Sequence, residues 1–149
     1  MRGTPETMQQ MTNYDNVVTE VSSTLKELSQ QAEEAGIPRW LQVLDPGIGF
    51  AKDLEHNLSL LKDNGDMREM LDVDCPLLLG PSRKGFIGKI TGEVEAENRD
   101  YGTLAACLAG LMFHEDGKRK FAPTILRVHN VKGIKQGIQI FEAIKKSNI

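Results

Sequence analysis

Pro76-Leu77-Leu78-Leu79-Gly80-Pro81-Ser82-Arg83-Lys84-Gly85-Phe86-Ile87-Gly88 is an apolar run that breaks into glycine, a hydroxyl and paired cations. The run is predicted as a strand, and the break as the point where it hands over to a helix. Upstream, Trp40-Leu41-Gln42-Val43-Leu44 runs in the same way into Asp45-Pro46-Gly47-Ile48-Gly49-Phe50-Ala51-Lys52. Downstream, Thr124-Ile125-Leu126 runs into Arg127-Val128-His129-Asn130-Val131. Strands that alternate with helices imply right-handed crossovers and a parallel sheet. That places the three breaks together at the carboxyl edge of one sheet, where chemistry on such folds is done.

The intervening segments carry helical periodicity. Val17, Val21, Leu25, Leu28, Ala32 and Ala35 predict a helix over 15–36, stopped by Gly36 and Pro38. A second is expected from Asp53, a suitable N-cap, through Leu54, Leu58 and Leu61 to a stop at Asn64-Gly65. A short helical turn follows near 83–90, then a helix over about 97–113 with Leu104, Leu108 and Leu111 on one face. Val131, Ile134, Ile138, Phe141 and Ile144 align on the last helix. The order is αβαβαβα. Three strands are few for a parallel sheet, and a barrel needs eight in about 250 residues. The expectation is therefore a piece of a larger α/β unit, with residues 1–149 as one partial domain.

The 149 residues suffice for a real core. With 40% hydrophobic and 26% charged residues, a disordered chain is an unsuitable description. No apolar stretch approaches the roughly 20 residues a bilayer demands, and the opening Met1-Arg2-Gly3-Thr4-Pro5 lacks the apolar region of a signal peptide. Cys75 and Cys107 have no metal or redox spacing, which predicts buried packing in a reducing compartment. The net charge of −3 conceals an acidic first half and a basic second half. Arg83, Lys84, Arg127 and His129 fall in the basic half and suit an anion such as phosphate. The low isoelectric point argues against nucleic acid as a partner.

Each break has its own chemistry. Asp45 sets a carboxylate at a strand end, suited to a ligand with adjacent N–H donors, while Gly47 and Gly49 let backbone approach that ligand. The same residues also suit a turn capped by Asp45. The segment is no dinucleotide fingerprint, because Lys52 stands where a third glycine would fall. Ser82-Arg83-Lys84 between glycines resembles an anion cradle without the spacing of a Walker loop. Arg127 and His129, two residues apart on a strand, share a face, and an arginine fork with a histidine donor suits phosphate. Two anion-suited loops after consecutive strands strengthen each other, since barrels bind phosphate at their last two loops. His114-Glu115-Asp116 reads as a solvated connection, His56 as a helix-surface residue, and the sequon Asn57-Leu58-Ser59 as helix interior.

Together the three segments resemble dihydropteroate synthase, a folate-pathway family whose later barrel strands end in D-P-G-I-G-F-x-K, G-x-S-R-K-x-F-[IL]-G and R-V-H-[DN]-V. The resemblance implies the C-terminal half of a (β/α)8 TIM barrel, strands six to eight with their helices. It implies condensation of 7,8-dihydropterin-6-methyl pyrophosphate with p-aminobenzoate, releasing pyrophosphate. By it, Asp45 grips the pterin's amino-pyrimidine edge, and Lys84 hydrogen-bonds the pterin and approaches p-aminobenzoate. Gly49 and Phe50 belong to the substrate-binding loop, Phe50 walling the p-aminobenzoate pocket. Ser82 helps receive the carboxylate, with Arg83 beside it, and Arg127 and His129 hold the departing pyrophosphate. Lys84, Arg127 and His129 are the catalytic candidates. Mg²⁺ is the implied helper, its ligands expected outside this chain.

The resemblance further implies a homodimer in a cytoplasmic or mitochondrial location, with fusion to other folate-pathway domains an open alternative. No membrane or nucleic-acid partner is expected. This chain alone is expected to be inactive. Two departures stand out: Asn130 replaces an aspartate common in the family, and residues 114–123 lengthen a connection. The competing readings are a pterin-binding methyl-transfer domain, which has no pyrophosphate to hold, and a non-catalytic remnant acting as an interaction module.

Overall fold

The computed structural model describes residues 3–4, 6–71, 75–112 and 125–147. In order these form α1 (Val17–Glu34), α2 (Leu54–Lys62), α3 (Asn64–Leu71), β1 (Leu78–Leu79), α4 (Gly85–Thr91), α5 (Asp100–Met112), β2 (Ile125–Leu126) and α6 (Val131–Lys146). β1 pairs with β2 in parallel, Leu78 opposite Ile125 and Leu79 opposite Leu126. On the other side of β1 a single parallel bridge joins Leu44 to Leu77. The α/β class and the parallel pairing are as the sequence predicts. His114-Glu115-Asp116 and the long connection at 114–123 lie outside the described residues, as does Thr124.

The strand predicted over 40–44 shrinks to that one bridge. Pro38, with φ −66°, enters a 3-10 turn at Arg39–Leu41, in which the N–H of Leu41 donates to the carbonyl of Pro38. Trp40 is consequently 77% exposed. Gln42 is buried, donating to the carbonyl of Ile37 and accepting from the Ser29 hydroxyl at 2.6 Å. Ser29 thereby turns inward and Leu28, one position earlier, outward at 49% exposure. The predicted stripe on α1 is correct at Val17 and Val21 and wrong at Leu28, because a polar partner reset the helix's rotation.

Asn64-Gly65 does not end the helical run. The buried Asn64 amide donates to the carbonyl of Leu61 and to that of Gly110 in α5, 2.7 and 3.1 Å away. It thus joins α2 to α3, which buries Met67 and Leu71 against α1. α5 likewise faces inward one position off the prediction. Thr103, Cys107 and Gly110 are buried, whereas Leu104, Leu108 and Leu111 are half-buried. Small residues win that face because β1 comes close: a Cβ on Gly110 would stand 3.0 Å from Leu79 Cδ1.

The core combines Val17, Val18 and Val21 of α1 with Leu60, Leu61, Met67 and Leu71. Leu44, Leu77 and Leu79 join it from the sheet, and Phe86 and Ile87 from α4. Both cysteines are free and buried, and burial pushes the Cys107 thiol up to about 11. No helix among the described residues is long and apolar enough to cross a membrane.

Ile140 and Ile144 on α6 are exposed, as is Tyr101 on α5. Among the described residues, no strand pairs with the outer edge of β2. Open edges and apolar faces promote association. The 149-residue chain expressed alone is therefore expected to elute from size-exclusion chromatography as a self-associated species; a monomer with one sharp melting transition would contradict this.

Candidate functional site

The parallel bridge at Leu44–Leu77 and the β1–β2 pairing set the ends of three extended segments side by side. The first loop turns at Asp45, whose Oδ1 accepts the N–H of Gly47 at 2.8 Å. The capped turn and the ligand-facing carboxylate were alternatives in the sequence; one oxygen makes the turn, and the other is directed to Arg127. Gly47 and Gly49 have φ of +73° and +83°, in the left-handed region that favours glycine. Ile48 between them is buried and anchors the loop.

Two buried polar residues hold this loop from behind. The Lys52 ammonium donates to the carbonyls of Gly47 and Phe50, 3.3 and 3.1 Å away. The Asn57 carboxamide oxygen accepts the Gly49 N–H at 2.6 Å, and its nitrogen donates to the carbonyl of Asp53. The sequon asparagine is thus an internal brace. His56, read as a surface residue, completes a capping box with Asp53 at the start of α2 and packs edge-on to Tyr14.

The second loop brings Ser82 and Lys84 toward the first. Lys84 lays its stem along Gly49, where a Cβ would stand 2.7 Å from its Cδ. Its ammonium sits 3.5 Å from the centroid of the Phe50 ring. Burial lowers the Lys84 pKa from its ordinary value; the Arg127 charge lowers it further and Asp45 opposes both. Ser82 is buried, and its oxygen accepts the His129 N–H at 3.1 Å while lying 2.9 Å from Nδ1 of that ring. When the hydroxyl donates to Nδ1, the neutral ring keeps its proton on Nε2 as a donor.

The third loop supplies Arg127 and His129. Its strand is shorter than the predicted 124–128, so both residues lie just past the end of β2. The Arg127 guanidinium crosses Gly80, where a Cβ would meet Nη2 at 2.7 Å, and donates to Asp45 Oδ2 at 3.0 Å. A cleft of about 340 Å³ opens between Gly80, Ser82, Lys84, Arg127, Val128 and His129. Larger hollows lie elsewhere. One is an apolar groove of about 560 Å³ between α2, α4 and α5, and another of about 640 Å³ lies beside α5 and α6. Only the smaller of these three is lined by Ser82, Lys84, Arg127 and His129, so it is the chemical candidate.

Asp45, Gly49, Phe50, Ser82, Lys84, Arg127 and His129 therefore meet around one edge. Arg83 does not join them. It turns out of the cleft, and its guanidinium forks onto Asp100, with Nε 2.8 Å from Oδ1. Asp100, Thr103 and Asn57 escaped the sequence reading. An asparagine inside a helix was a usable signal for Asn57, but nothing local ties Asp100 to an arginine seventeen positions earlier.

Among the described residues, no group of three or more histidine, cysteine, aspartate or glutamate side chains could surround a metal ion. The Asp45 carboxylate is engaged by Gly47 and Arg127, and that of Asp100 by Arg83 and Asn130. These residues do not fit a Mg²⁺ site by themselves.

Loops at the ends of parallel strands bring a carboxylate, two cations and a histidine to one edge of an α/β chain. Residues 1–119 match the family described as pterin binding enzyme, and the chain belongs to that family. It is 38% identical to the dihydropteroate synthase of Neisseria meningitidis serogroup B, a match covering 97% of this chain and 48% of that protein. It is 40% identical to the mitochondrial folate synthesis bifunctional protein of Pisum sativum, covering 98% of this chain and 28% of that relative. The chain thus spans between about a quarter and a half of these curated relatives. The dihydropteroate synthase of Thermus thermophilus in complex with 6HMPPP superposes with a TM-score of 0.80 at 36% identity, covering 95% of this chain and 51% of that one. The same enzyme has been solved in complex with 4-aminobenzoate, with a TM-score of 0.81.

The electrostatics of the cleft generate a titration prediction. Because folding lowers the Lys84 pKa, the charged amine opposes folding at neutral pH. That cost is relieved as pH rises from the lowered value toward the unfolded one near 10.5. In ¹³C NMR of the reductively methylated protein, one dimethyl-lysine resonance should titrate below the others and disappear in Lys84→Met. A resonance titrating with the surface lysines would refute the cleft electrostatics.

Proposed function

We propose that this chain supplies the pyrophosphate-releasing side of a dihydropteroate synthase active site. In this reading Leu44, β1 and β2 mark strands six, seven and eight of a (β/α)8 barrel, and residues 1–149 are its C-terminal half. The observation that carries the reading is the convergence of Asp45, Lys84 and Arg127 from three separate strand ends, in a chain of the pterin-binding family. The complexes of the Thermus enzyme with 6HMPPP and with 4-aminobenzoate support the substrates.

The chemistry follows from charge. The aryl amine attacks the methylene carbon of the pterin pyrophosphate as the C–O bond to pyrophosphate breaks, and the nitrogen then gives up one proton to water. The amine is neutral and needs no strong base. Negative charge grows on the leaving group, and cations and N–H donors at the edge stabilise it. Arg127 offers a planar fork and His129 a ring donor oriented by Ser82. Asp45 accepts paired N–H donors from the pterin's amino-pyrimidine edge, which frees Arg127 from its ion pair for the phosphates. Lys84, held against Phe50, hydrogen-bonds the pterin and closes the side that receives p-aminobenzoate, while the Ser82 hydroxyl stays engaged with His129.

When bound, Mg²⁺ would neutralise further charge on the pyrophosphate. Its ligands belong to the loops of the other half-barrel in this reading, and no step above depends on it. The bifunctional pea relative supports fusion to another folate-pathway domain, and its mitochondrial name supports an organellar location as the alternative to a cytoplasmic one. A homodimer remains part of the proposal on the resemblance alone.

Two substitutions separate the two ends of the substrate. In the complete enzyme carrying this chain, Asp45→Asn should weaken binding of a bare pterin more than tenfold by calorimetry. That is the loss of a charged hydrogen bond worth on the order of 1.5–3 kcal/mol. Arg127→Ala should lower turnover roughly a hundredfold without weakening bare-pterin binding, since it removes the cation that competes for Asp45. Loss of pterin affinity in Arg127→Ala as severe as its loss of turnover would overturn the pyrophosphate assignment.

A further inference from the structure

Arg83 stands between two residues of the cleft and takes no part in its wall. Its φ of +58° is in the left-handed region, a conformation that side chains with a Cβ disfavour. Contacts on every side hold it there. Its N–H donates to the Thr103 hydroxyl at 3.0 Å, and its carbonyl accepts from the Arg99 guanidinium at 3.1 Å. Its own guanidinium meets both Asp100 oxygens, at 2.8 and 3.1 Å.

Asp100 Oδ2 accepts a further hydrogen bond, from the Asn130 amide at 3.1 Å. Asn130 adjoins His129 and caps α6, accepting the N–H of Gly133 at 2.9 Å. One carboxylate at the start of α5 thus ties the loop after β1 to the loop after β2. The hydrogen bond from Arg83 holds the Asp100 carboxyl below the usual range, so it stays ionised at neutral pH. The identity of Asn130 matters here. An amide can donate to Asp100 while its oxygen caps the helix, whereas an ionised carboxylate at 130 could only accept and would repel Asp100.

We infer that Asp100 is a positioning residue: through Arg83 and Asn130 it fixes Ser82, Lys84 and His129 around the cleft, and Arg83 serves as its strut, not as a ligand for phosphate. This rests on the reading of the cleft as the pyrophosphate side.

The two possible roles of Arg83 give opposite signs. Inorganic pyrophosphate is titrated calorimetrically into the complete protein and into Asp100→Asn, Arg83→Met and the double variant. A strut predicts about tenfold weaker binding in Asp100→Asn, the loss of one charge-assisted link. The double variant should then be within about twofold of the single, because both cut the same connection. A ligand role predicts the reverse: Asp100→Asn releases the guanidinium and tightens binding, which would overturn the inference. Unchanged affinity in Asp100→Asn would overturn it as well.

Amide hydrogen exchange provides the readout that a general loss of stability would not produce. Protection of the His129 N–H, which donates to Ser82, should fall in Asp100→Asn while that of the core amide of Leu60 holds. A parallel fall at both positions would make Asp100 a stabiliser only and refute the positioning role. If the unaltered protein fails to bind pyrophosphate, the pyrophosphate reading of the cleft falls. Exchange at His129 then decides the positioning role alone, selective loss supporting it and no change refuting it.

Discussion

Everything in the candidate site depends on two short stretches of parallel hydrogen bonding. Leu44 bonds across to Pro76 and Leu78, while Ile125 and Arg127 donate to Leu77 and Leu79. In a parallel ladder the chains leave the sheet in the same direction, so their next residues must emerge at one edge. Asp45, Gly80 and Arg127 are those next residues. Few bonds are required because the apolar residues behind them, Leu77 and Leu79 among others, are buried against α1, α3 and α5. Packing stabilises the register, and the register aligns the loops.

The edge is also an electrostatic device. A carboxylate, a guanidinium and an ammonium share it. Arg127 is held by Asp45, and Lys84 carries a lowered pKa beside both. A ligand that took the Asp45 carboxylate would leave Arg127 without its partner, so the two side chains respond together through one ion pair. Behind that edge a further set of polar groups sets the shape. Asn57 and Lys52 brace the first loop through backbone carbonyls and the Gly49 N–H, and Asp100 joins the second loop to the third.

Glycine placement follows the same logic. Gly49 and Gly80 are each crossed by the side chain of a cation from another loop, Lys84 and Arg127 respectively, at distances a Cβ would forbid. Their value here lies in close approach as much as in turning the chain. Each of these glycines stands one loop before the cation that crosses it.

The sequence by itself determined the alternation of strand and helix, the three strand-end motifs and the family, because periodicity and motif chemistry are local properties of the chain. It also determined which residue types meet at the edge: Asp45, Lys84, Arg127, Ser82 and His129 were all legible in advance. Only the tertiary structure decided how they are used. Leu28 faces outward because Ser29 found Gln42, and the run at 40–44 keeps one bridge because Pro38 starts a turn. Asn64-Gly65 joins two helices because Asn64 reaches the carbonyl of Gly110. Arg83 left the cleft for Asp100 because an isolated cation next to Lys84 and Arg127 gains more from a bidentate carboxylate than from a third place at a positive edge. These pairings join residues far apart in the chain, and no local pattern encodes a partner that only folding brings near.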